Sequence, residues 1–364
     1  MKRLIIFLLI MTTFGLVSGQ ETGTKQLKIG IAGLSHSHVL PLLRTINSQG
    51  FKVVGIYEEN REMALRYAKE YKIDTSIIFS SLEVMLDKTK PEGVLTFTSI
   101  FEHLKVVEAC APRGIHVMVE KPLAVSTKHA EAMQKLVTTY NIMLLTNYET
   151  SWYPSNHKIF EMISENKIGD LRRVIVYDGH KGPEEIRVNS EFLGWLTDPV
   201  MNGGGAVTDF GCYGADLITW IMKGEKPANV FAVLKQYKPS VYPKVDDDAT
   251  IIISYPSMTG IINASWNWPF NRKDMHVYGS TGYIFGDDQQ NIRYKLSEGS
   301  SESAVRLPFR EEPLNNPFSF FAAAIKGEID VPENDLSSLK INMIVVEILE
   351  AARKSNKTGK RVRL

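Results

Sequence analysis

The feature that most constrains this chain is a regular alternation of short apolar strands and helical stretches from about residue 26 to residue 148. Such an alternation is typical of a parallel sheet covered by helices, because each parallel crossover needs a connecting helix. The predicted strands are Lys28–Ala32, Lys52–Tyr57, Gly93–Phe97, His116–Val119 and Ile142–Leu145. The predicted helices are Val39–Ser48, Arg61–Glu70, Ser81–Lys88, Glu102–Arg113 and Ser126–Tyr140. We therefore predict a doubly wound α/β domain over residues 26–148.

The pattern changes after residue 148, where strand-like runs begin to follow one another. A helix at Ser155–Glu165 precedes them. The runs are Arg172–Tyr177, Val230–Tyr237, Ala249–Tyr255, Gly260–Trp266, Met275–Tyr278, Gly282–Phe285 and Ile292–Leu296. Strands in series favour an antiparallel sheet, and 364 residues exceed what one core usually supports. We predict a second, α+β domain over residues 149–364 with a large, open, mostly antiparallel sheet, and an amphipathic C-terminal helix that can pack back on the first domain.

The first nineteen residues differ from the rest. Lys2 and Arg3 precede the apolar run Leu4–Phe14, and small residues follow at positions 17–19. This order is typical of a secretory signal, and the run is shorter than the roughly 20 residues that a membrane-spanning helix needs. A buried N-terminal strand is the alternative. We predict a signal peptide at residues 1–19, export to the periplasm and no membrane span in the mature chain.

Composition argues against several classes of protein. The 42 Lys and Arg balance 41 Asp and Glu, which leaves no basic surface of the kind that nucleic acid requires. Cys110 and Cys212 are too few for a disulfide framework; they are either two buried thiols or one pair. His36 and His38 have no carboxylate or cysteine close by in the sequence, so no metal site is predicted.

A cofactor signal follows the first strand. Gly33 stands where a dinucleotide-binding fold turns from strand into helix, but Ser35 and His38 take the second and third glycine positions. A glycine that merely ends a strand is the alternative. Ser35, His36 and Ser37 are candidate hydrogen-bond donors to a pyrophosphate at the helix N-terminus.

The second strand strengthens this signal. Glu58 follows it, where an acidic side chain binds the adenosine ribose in such folds. A 2′-phosphate would meet like charge there, so NAD is favoured, while Arg61 keeps NADP open.

A candidate catalytic lysine, Lys121, follows the predicted strand His116–Val119 in the sequence Glu120-Lys121-Pro122. Proline restricts the backbone of the residue before it, so the direction in which the Lys121 side chain points is restricted as well.

A second motif is the glycine run at residues 203–205, followed by a helix that carries Asp209, Tyr213 and Asp216. Glycines allow close approach of a ligand, and this helical spacing places the three side chains on one face. We expect them to point into one pocket.

With these two motifs the chain resembles the Gfo/Idh/MocA family (glucose-fructose oxidoreductase, inositol dehydrogenase and relatives) over residues 26–364. The resemblance implies a Rossmann domain, a substrate domain, and hydride transfer between a tightly bound nicotinamide cofactor and a sugar hydroxyl or carbonyl. It implies Tyr213 as the acid/base group, with its pKa lowered by Lys121, and Asp209 as the residue that orients Lys121 or the sugar. The roles of Lys121 and Tyr213 remain open to exchange.

The resemblance implies further contacts. Beyond the turn and Glu58, cofactor contacts are expected at Thr98, Ser99, His103, Glu120 and Lys121. Substrate contacts are expected at Tyr148, Trp152, His180, Arg187, Trp195 and Asp216. A helix start is the alternative for His103, and burial is the alternative for Trp195.

Export adds a constraint on the chemistry, because an exported dehydrogenase has no cytosolic NAD(H) pool. We expect a bound, recycled cofactor, either in the transfer of hydride between two sugars or in transient oxidation that assists elimination or glycoside cleavage. A non-catalytic sugar- or nucleotide-sensing protein is the alternative from a different class. The open sheet predicts a homodimer or homotetramer.

Overall fold

The computed structural model describes residues 26–46 and 50–364. The predicted signal peptide and residues 47–49 lie outside the described residues. Within the described part of the chain, no helix combines the length and apolar character needed to cross a membrane.

The first domain is the predicted doubly wound domain. Its elements are β1 (Lys28–Ala32), α1 (Val39–Arg44), β2 (Lys52–Tyr57), α2 (Arg61–Tyr71), β3 (Ile78–Phe79), α3 (Leu82–Thr89), β4 (Gly93–Thr96), α4 (His103–Cys110), β5 (His116–Glu120), α5 (Thr127–Tyr140) and β6 (Leu144–Asn147). All strand pairs are parallel, in the order β3-β2-β1-β4-β5-β6. This order places a ligand crevice at the carboxyl ends of the strands, next to β1.

Several predicted boundaries in this domain were wrong. The helix predicted over Glu102–Arg113 is divided, because Pro112 lacks the N–H that an α-helix needs and residues 111–113 form a 3₁₀ turn instead. The first helix ends at Arg44 instead of Ser48, and β6 ends at Asn147, two residues later than predicted. The short strand β3 was not predicted.

The second domain is built on the predicted large sheet. Its elements are α6 (Pro154–Ser164), β7 (Leu171–Gly179), α7 (Ser190–Leu196), α8 (Ala206–Asp209), α9 (Gly211–Ile221), β8 (Asn229–Lys235), β9 (Asp248–Ser254), β10 (Thr259–Ser265), β11 (Arg272–Gly279), β12 (Tyr283–Gly286), β13 (Asn291–Lys295), β14 (Ser303–Arg306), α10 (Pro317–Lys326), α11 (Leu339–Thr358) and β15 (Val362–Arg363). The strand order is β14-β13-β12-β11-β7-β10-β9-β8-β15. Only β7 and β10 pair in parallel among these strands. The expected fold class is confirmed.

The last two helices join the domains. Phe321 of α10 belongs to the apolar core that contains Ile29 and Ile31 of β1. Helix α11 contributes to both cores, with Val346 under the first sheet and Val345 under the second. Helices α10 and α11 therefore hold the two domains together.

Both cysteines, Cys110 and Cys212, are buried and free. The alternative of two buried thiols is confirmed, and no pair forms between them.

Candidate active site

A cavity of about 390 Å³ lies where the carboxyl end of β5 meets α8 and α9. Its polar lining comes from Ser37, His38, Lys121, Glu149, Tyr153, His180, Asp209, Tyr213, Asn271, Arg272 and Lys273. An apolar wall comes from Pro183, Ile186, Val188, Phe192, Leu196 and Phe210. The three predicted catalytic residues, Lys121, Asp209 and Tyr213, therefore meet in one cavity although they come from both domains.

Lys121 and Asp209 form a buried ion pair. The Lys121 Nζ donates to Asp209 Oδ1 at 2.5 Å and to the Asp209 carbonyl oxygen at 2.8 Å. Trp266 Nε1 donates to the other carboxylate oxygen at 2.9 Å. Burial favours the neutral form of each partner, but the opposite charge outweighs it, so the pKa of Lys121 is raised and that of Asp209 is lowered. Both groups are charged at neutral pH.

Tyr213 lies against this pair with 1% of its surface exposed. Tyr148 packs edge-on behind it, with ring centroids 5.5 Å apart. Burial raises the pKa of Tyr213 well above its usual value, and the negative charge of Glu149 acts in the same direction. The expectation that Lys121 lowers this pKa is wrong for the protein without ligands, because burial dominates and Asp209 already balances the Lys121 charge. Tyr213 is a protonated phenol.

The glycine run shapes the segment that carries Asp209. Asp246 accepts hydrogen bonds from the backbone N–H of Gly205 at 2.9 Å and of Val207 at 2.7 Å. A Cβ at Gly205 would lie 1.8 Å from the Asp246 carbonyl oxygen, so only glycine allows this approach. The contact fixes the start of α8 and, through it, the direction of Asp209.

The turn after β1 has the features that a dinucleotide needs. Gly33 has φ +81°, and a Cβ there would lie 2.6 Å from Thr98 Cγ2. Glu58 accepts hydrogen bonds from the backbone N–H of Leu34 and of Asn60, both at 2.8 Å. A separate cavity of about 230 Å³ is lined by Gly33, Ser35, Glu58, Glu59, Thr98 and Glu102, among others. The acidic lining fits ribose hydroxyls and would repel a 2′-phosphate, so the residues present fit NAD.

The backbone amides of the turn are not all open to a pyrophosphate. The N–H of His36 donates to Phe97 O at 3.0 Å, and the N–H of His38 donates to His36 Nδ1 at 3.2 Å. Within the described residues, the amides of Ser35 and Ser37 make no hydrogen bond to protein. The Ser35 hydroxyl donates to Phe97 O at 3.5 Å, so the predicted donor set is reduced to these two amides and the Ser37 hydroxyl.

His38 lies in a hydrogen-bonded chain that runs away from the cavity. Its Nδ1 is 2.8 Å from Glu120 Oε2, Glu120 Oε1 accepts from Asn147 Nδ2 at 2.8 Å, and Asn147 Oδ1 accepts from Trp152 Nε1 at 3.0 Å. The expectation that no carboxylate stands near the two histidines is wrong, because the fold brings potential ligand atoms of His36, His38 and Glu120 within 4.8 Å of one another. Glu120 is already engaged by two partners, and the absence of a metal stays a prediction.

The segment after β4 supports the turn. The Thr98 hydroxyl donates to the Ser99 carbonyl oxygen, and Ser99 forms a capping box with Glu102. His103 begins α4, is fully buried and has its Nδ1 3.1 Å from Leu123 O. Burial lowers the pKa of His103 to about 4. His103 is therefore neutral and starts the helix, and its contact with a cofactor stays a prediction.

Of the six predicted substrate residues, only His180 lines the cavity. The other five lie elsewhere. Tyr148 and Asp216 are fully buried, Trp152 bonds Asn147, Trp195 packs on His36 with centroids 5.5 Å apart, and Arg187 is exposed with φ +59°. Asp216 follows Tyr213 by three residues on α9, but the helix points its carboxylate into the core. Among the described residues, neither of its oxygens has a hydrogen-bond partner.

Sequence reasoning missed a second ion pair in the cavity. Lys273 of β11 contacts Glu149, and Glu149 also accepts a hydrogen bond from Tyr153 Oη at 2.6 Å. Burial opposes the charge of Glu149, but Lys273 and Tyr153 lower its pKa to about 2. Glu149 follows β6, so the rule that ligands bind at the carboxyl ends of parallel strands pointed to it. Nothing in the sequence marked Lys273.

Known families and proteins match the chain along most of its length. Residues 27–148 match the oxidoreductase family with an NAD-binding Rossmann fold, and residues 157–285 match the GFO/IDH/MocA C-terminal domain. Trans-1,2-dihydrobenzene-1,2-diol dehydrogenase of Xenopus tropicalis is 23% identical over 327 residues, which cover 88% of this chain and 94% of that protein.

Solved structures share the fold. An inositol dehydrogenase homolog from Azotobacter vinelandii, complexed with NAD⁺, has a TM-score of 0.81 and 16% identity over 94% of this chain and 98% of that one. Aldose-aldose oxidoreductase from Caulobacter crescentus has a TM-score of 0.78 and 19% identity over 93% of this chain and 100% of that one. With both family domains matched in order and the Lys121, Asp209 and Tyr213 side chains meeting between them, this chain belongs to the Gfo/Idh/MocA family of NAD-binding oxidoreductases.

Proposed function

We propose that the protein is an exported dehydrogenase that acts on a hydroxyl or carbonyl group of a neutral sugar or sugar derivative and retains its NAD. The observation that carries this proposal is the meeting of Lys121, Asp209 and Tyr213 in one cavity, beside a turn that fits NAD. Bound NAD supplies the hydride acceptor or donor, and the chain's own residues handle the proton.

The protonation states suggest how the proton moves. Tyr213 is a neutral phenol and Lys121 is a cation held by Asp209. In the reducing direction, Tyr213 donates its proton to the carbonyl oxygen of the substrate while Lys121 donates a hydrogen bond to the same oxygen. In the oxidising direction the proton returns from the substrate hydroxyl to the Tyr213 oxygen. The exchange of these two roles remains the alternative.

The charges of the cavity favour a neutral substrate. Its principal cations are paired with carboxylates: Lys121 with Asp209, Lys273 with Glu149, and Arg272 with Asp274. A phosphate or carboxylate on the substrate would have to displace one of these partners. The inositol, aldose and dihydrodiol named for the similar proteins are polyhydroxy compounds without charge, which supports the same substrate class.

Helix α7 supports retention of the cofactor. It comes from the second domain, but its Glu191 lines the cavity beside Glu58 and its Phe192 lines the catalytic cavity. Phe192 also packs on His36 of the turn with ring centroids 4.7 Å apart. The ion pair of Glu191 with Arg66 of α2, at 2.7 Å, ties the helix to the first domain. A dinucleotide that reaches from one cavity to the other would pass beneath α7.

The open face of the second sheet supports a homodimer or homotetramer. A row of facing residues crosses six strands of it: Phe231, Ile252, Ile261, Ile175, His276 and Phe285. Each is at least partly exposed, whereas the opposite face of the sheet carries buried residues such as Val174 and Ile262. An apolar row of this length on an uncovered sheet is what an isologous interface buries.

One observation favours a second function, glycoside cleavage or elimination assisted by transient oxidation. Such chemistry needs an additional acid/base group to remove a proton next to the transient carbonyl. His38, held by Glu120 through its Nδ1, lines the same cavity as Tyr213. Product analysis by mass spectrometry separates the two functions, since cleavage releases an aglycone and simple dehydrogenation does not.

The test of the main proposal is single-turnover reduction of the bound NAD by a panel of glucosides, galactosides, free aldoses and inositols, followed by nicotinamide absorbance. We expect at least one neutral compound to reduce the cofactor and the matching sugar phosphate to fail. Binding of several sugars without any reduction would favour the sensor alternative. Sequencing the N-terminus of the protein recovered from the periplasmic fraction tests export, and an intact Met1 there would refute the signal peptide.

A further inference from the structure

The ring of Tyr213 lies against two lysines. The Nζ of Lys121 is 5.0 Å from its ring centroid and that of Lys273 is 4.6 Å from it. Both amines are at cation–π distance, so each acts electrostatically on the ring that carries the hydroxyl. Lys121 directly follows β5 of the first domain, and Lys273 lies on β11 of the second. The tyrosine is therefore approached by a cation from each domain.

Lys273 is held in place by acidic groups. Glu149, which follows β6, forms an ion pair with its Nζ. Asp178 of β7 stands directly opposite Lys273 across the antiparallel β7–β11 pair, so their side chains share one face of the sheet. Asp178 is 1% exposed, and neither of its carboxylate oxygens has a hydrogen-bond partner among the residues that the structure describes. A lysine in this environment is a fixed charge rather than a mobile surface group.

We propose that Lys273 is a positioning residue that acts through Tyr213: its ammonium stabilises the phenolate form, and Glu149 sets how strongly it does so. The inference rests on the proposed function, in which Tyr213 exchanges a proton with the substrate. In oxidation the substrate O–H bond breaks and the proton goes to the phenolate oxygen. The electron pair of the adjacent C–H bond leaves with the hydride that NAD accepts.

The charges around Tyr213 have opposite signs, so the proposal predicts opposite effects for two different substitutions. Among the described residues, the charged or titratable groups that face it are Lys121, Tyr148, Glu149, Asp178, Asp209, Cys212 and Lys273. Lys121 is balanced by the nearest carboxylate, Asp209, and Lys273 is balanced by Glu149. Removing Lys273 therefore leaves Glu149 as an unbalanced negative charge near the ring, while removing Glu149 leaves Lys273 as an unbalanced positive charge. The two substitutions have opposite effects on the phenolate.

The experiment measures the Tyr213 phenolate directly. For each variant, the phenolate absorbance is obtained by subtracting the spectrum of the same variant that also carries Tyr213→Phe. Both spectra are recorded at one fixed alkaline pH with NAD bound. We expect Lys273→Met to lower the phenolate fraction about tenfold and Glu149→Gln to raise it by a similar factor, as expected for one charge within about 4–6 Å. Lys273→Arg should stay within about twofold of the wild type. Lys235→Met, at an exposed position on β8, is the matched control and should leave the phenolate fraction unchanged.

The double variant Lys273→Met/Glu149→Gln covers the case in which Lys273→Met alone does not fold, because it removes both charges together. Its phenolate fraction should return to within about threefold of the wild type. Changes of the same sign in Lys273→Met and Glu149→Gln, or no change in either, would overturn the proposal. A phenolate fraction in the double variant as low as in Lys273→Met would also overturn it.

Turnover gives the second readout. With the best substrate, Lys273→Met should oxidise about tenfold more slowly at neutral pH and recover as the pH rises, because the rate below the pKa follows the phenolate fraction. A loss of rate that is the same at every pH would show a merely structural role. If the wild-type protein oxidises nothing, the proposed function fails while the phenolate measurement still decides the role of Lys273.

Discussion

Asp209 holds the Lys121 ammonium with two of its own oxygens, the carboxylate Oδ1 at 2.5 Å and the backbone carbonyl at 2.8 Å. Lys121 follows the last residue of β5 in the first domain, and Asp209 ends α8 in the second. The pair therefore joins the two domains at the candidate active site. Its geometry determines both the charge of the lysine and the closure of the cavity.

Replacing Asp209 by Asn should destabilise the protein by about 3 kcal/mol at neutral pH, because a buried ammonium is left without its counter-charge. Urea unfolding followed by tryptophan fluorescence measures this. Glu333→Gln, which breaks an exposed pair with Lys340, is the control and should change stability by less than about 0.5 kcal/mol. Equal effects of the two substitutions would contradict the ion pair's role.

The same pair predicts a pH dependence of stability. The pKa of Asp209 is lowered in the folded protein from its ordinary value of 3.8, so its contribution is present above that value and is lost as the pH falls through the lower, folded-state pKa. The pKa of Lys121 is raised from 10.5, so its contribution is present below that value and is lost as the pH rises through the folded-state pKa. The contribution of the pair to the wild-type free energy of unfolding should therefore be constant from about pH 5 to pH 9. In Asp209→Asn burial lowers the pKa of Lys121, because the carboxylate that raised it is gone, so the variant should gain stability as the pH rises toward 10.5 and the wild-type advantage should shrink. An advantage that grows as the pH rises from 7 to 9 would contradict the role of the pair.

Tyr213→Phe keeps the ring packing on Tyr148 and removes only the acid/base oxygen, so we expect a loss of about 10²–10⁴ in the rate of single-turnover reduction of NAD. Lys121→Ala should lose at least as much while the cofactor stays bound. The double variant should lose much less than the product of the two, since both groups act on one substrate oxygen. Wild-type rates in both single variants would show that the two residues are structural.

The purified protein should carry NAD(H), because α7 covers the path between the two cavities. Mass spectrometry of the nucleotide released on denaturation tests this. Glu191→Gln breaks the pair with Arg66 and should speed the release of bound NADH, measured by fluorescence on dilution, whereas Glu333→Gln should not. No released nucleotide, together with no micromolar NAD binding by calorimetry, would contradict retention.

Ile252→Asp should break the homo-oligomer, because it places a charge within the mostly apolar row on the open sheet. Light scattering at micromolar concentration measures the mass. Val84→Asp introduces the same charge at an apolar residue of similar exposure on α3 and is the matched control. A monomeric wild-type protein would refute the assembly.

The sequence by itself determined the architecture and the three candidate catalytic residues. The alternation of strands and helices predicted the parallel sheet, because period and connection length are local properties of the chain. Glycine at Gly33 and the Glu120-Lys121-Pro122 motif marked sheet-edge positions where ligand crevices lie in such folds. Lys121, Asp209 and Tyr213 were found in this way, since a family resemblance attaches to short motifs.

Only the tertiary structure decided which other side chains reach the cavity and in what charge state. Asp216 lies three residues after Tyr213 on the same helix, yet the packing of α9 points its side chain into the core and away from the cavity. Lys273 lies on a strand far along the chain and reaches Tyr213 because α9 packs on β7 and β10, next to β11 in the same sheet. Burial raises the pKa of Tyr213, and a sequence motif does not show whether a side chain is buried. Long-range packing sets distance and dielectric, and these two quantities determine the chemistry of the site.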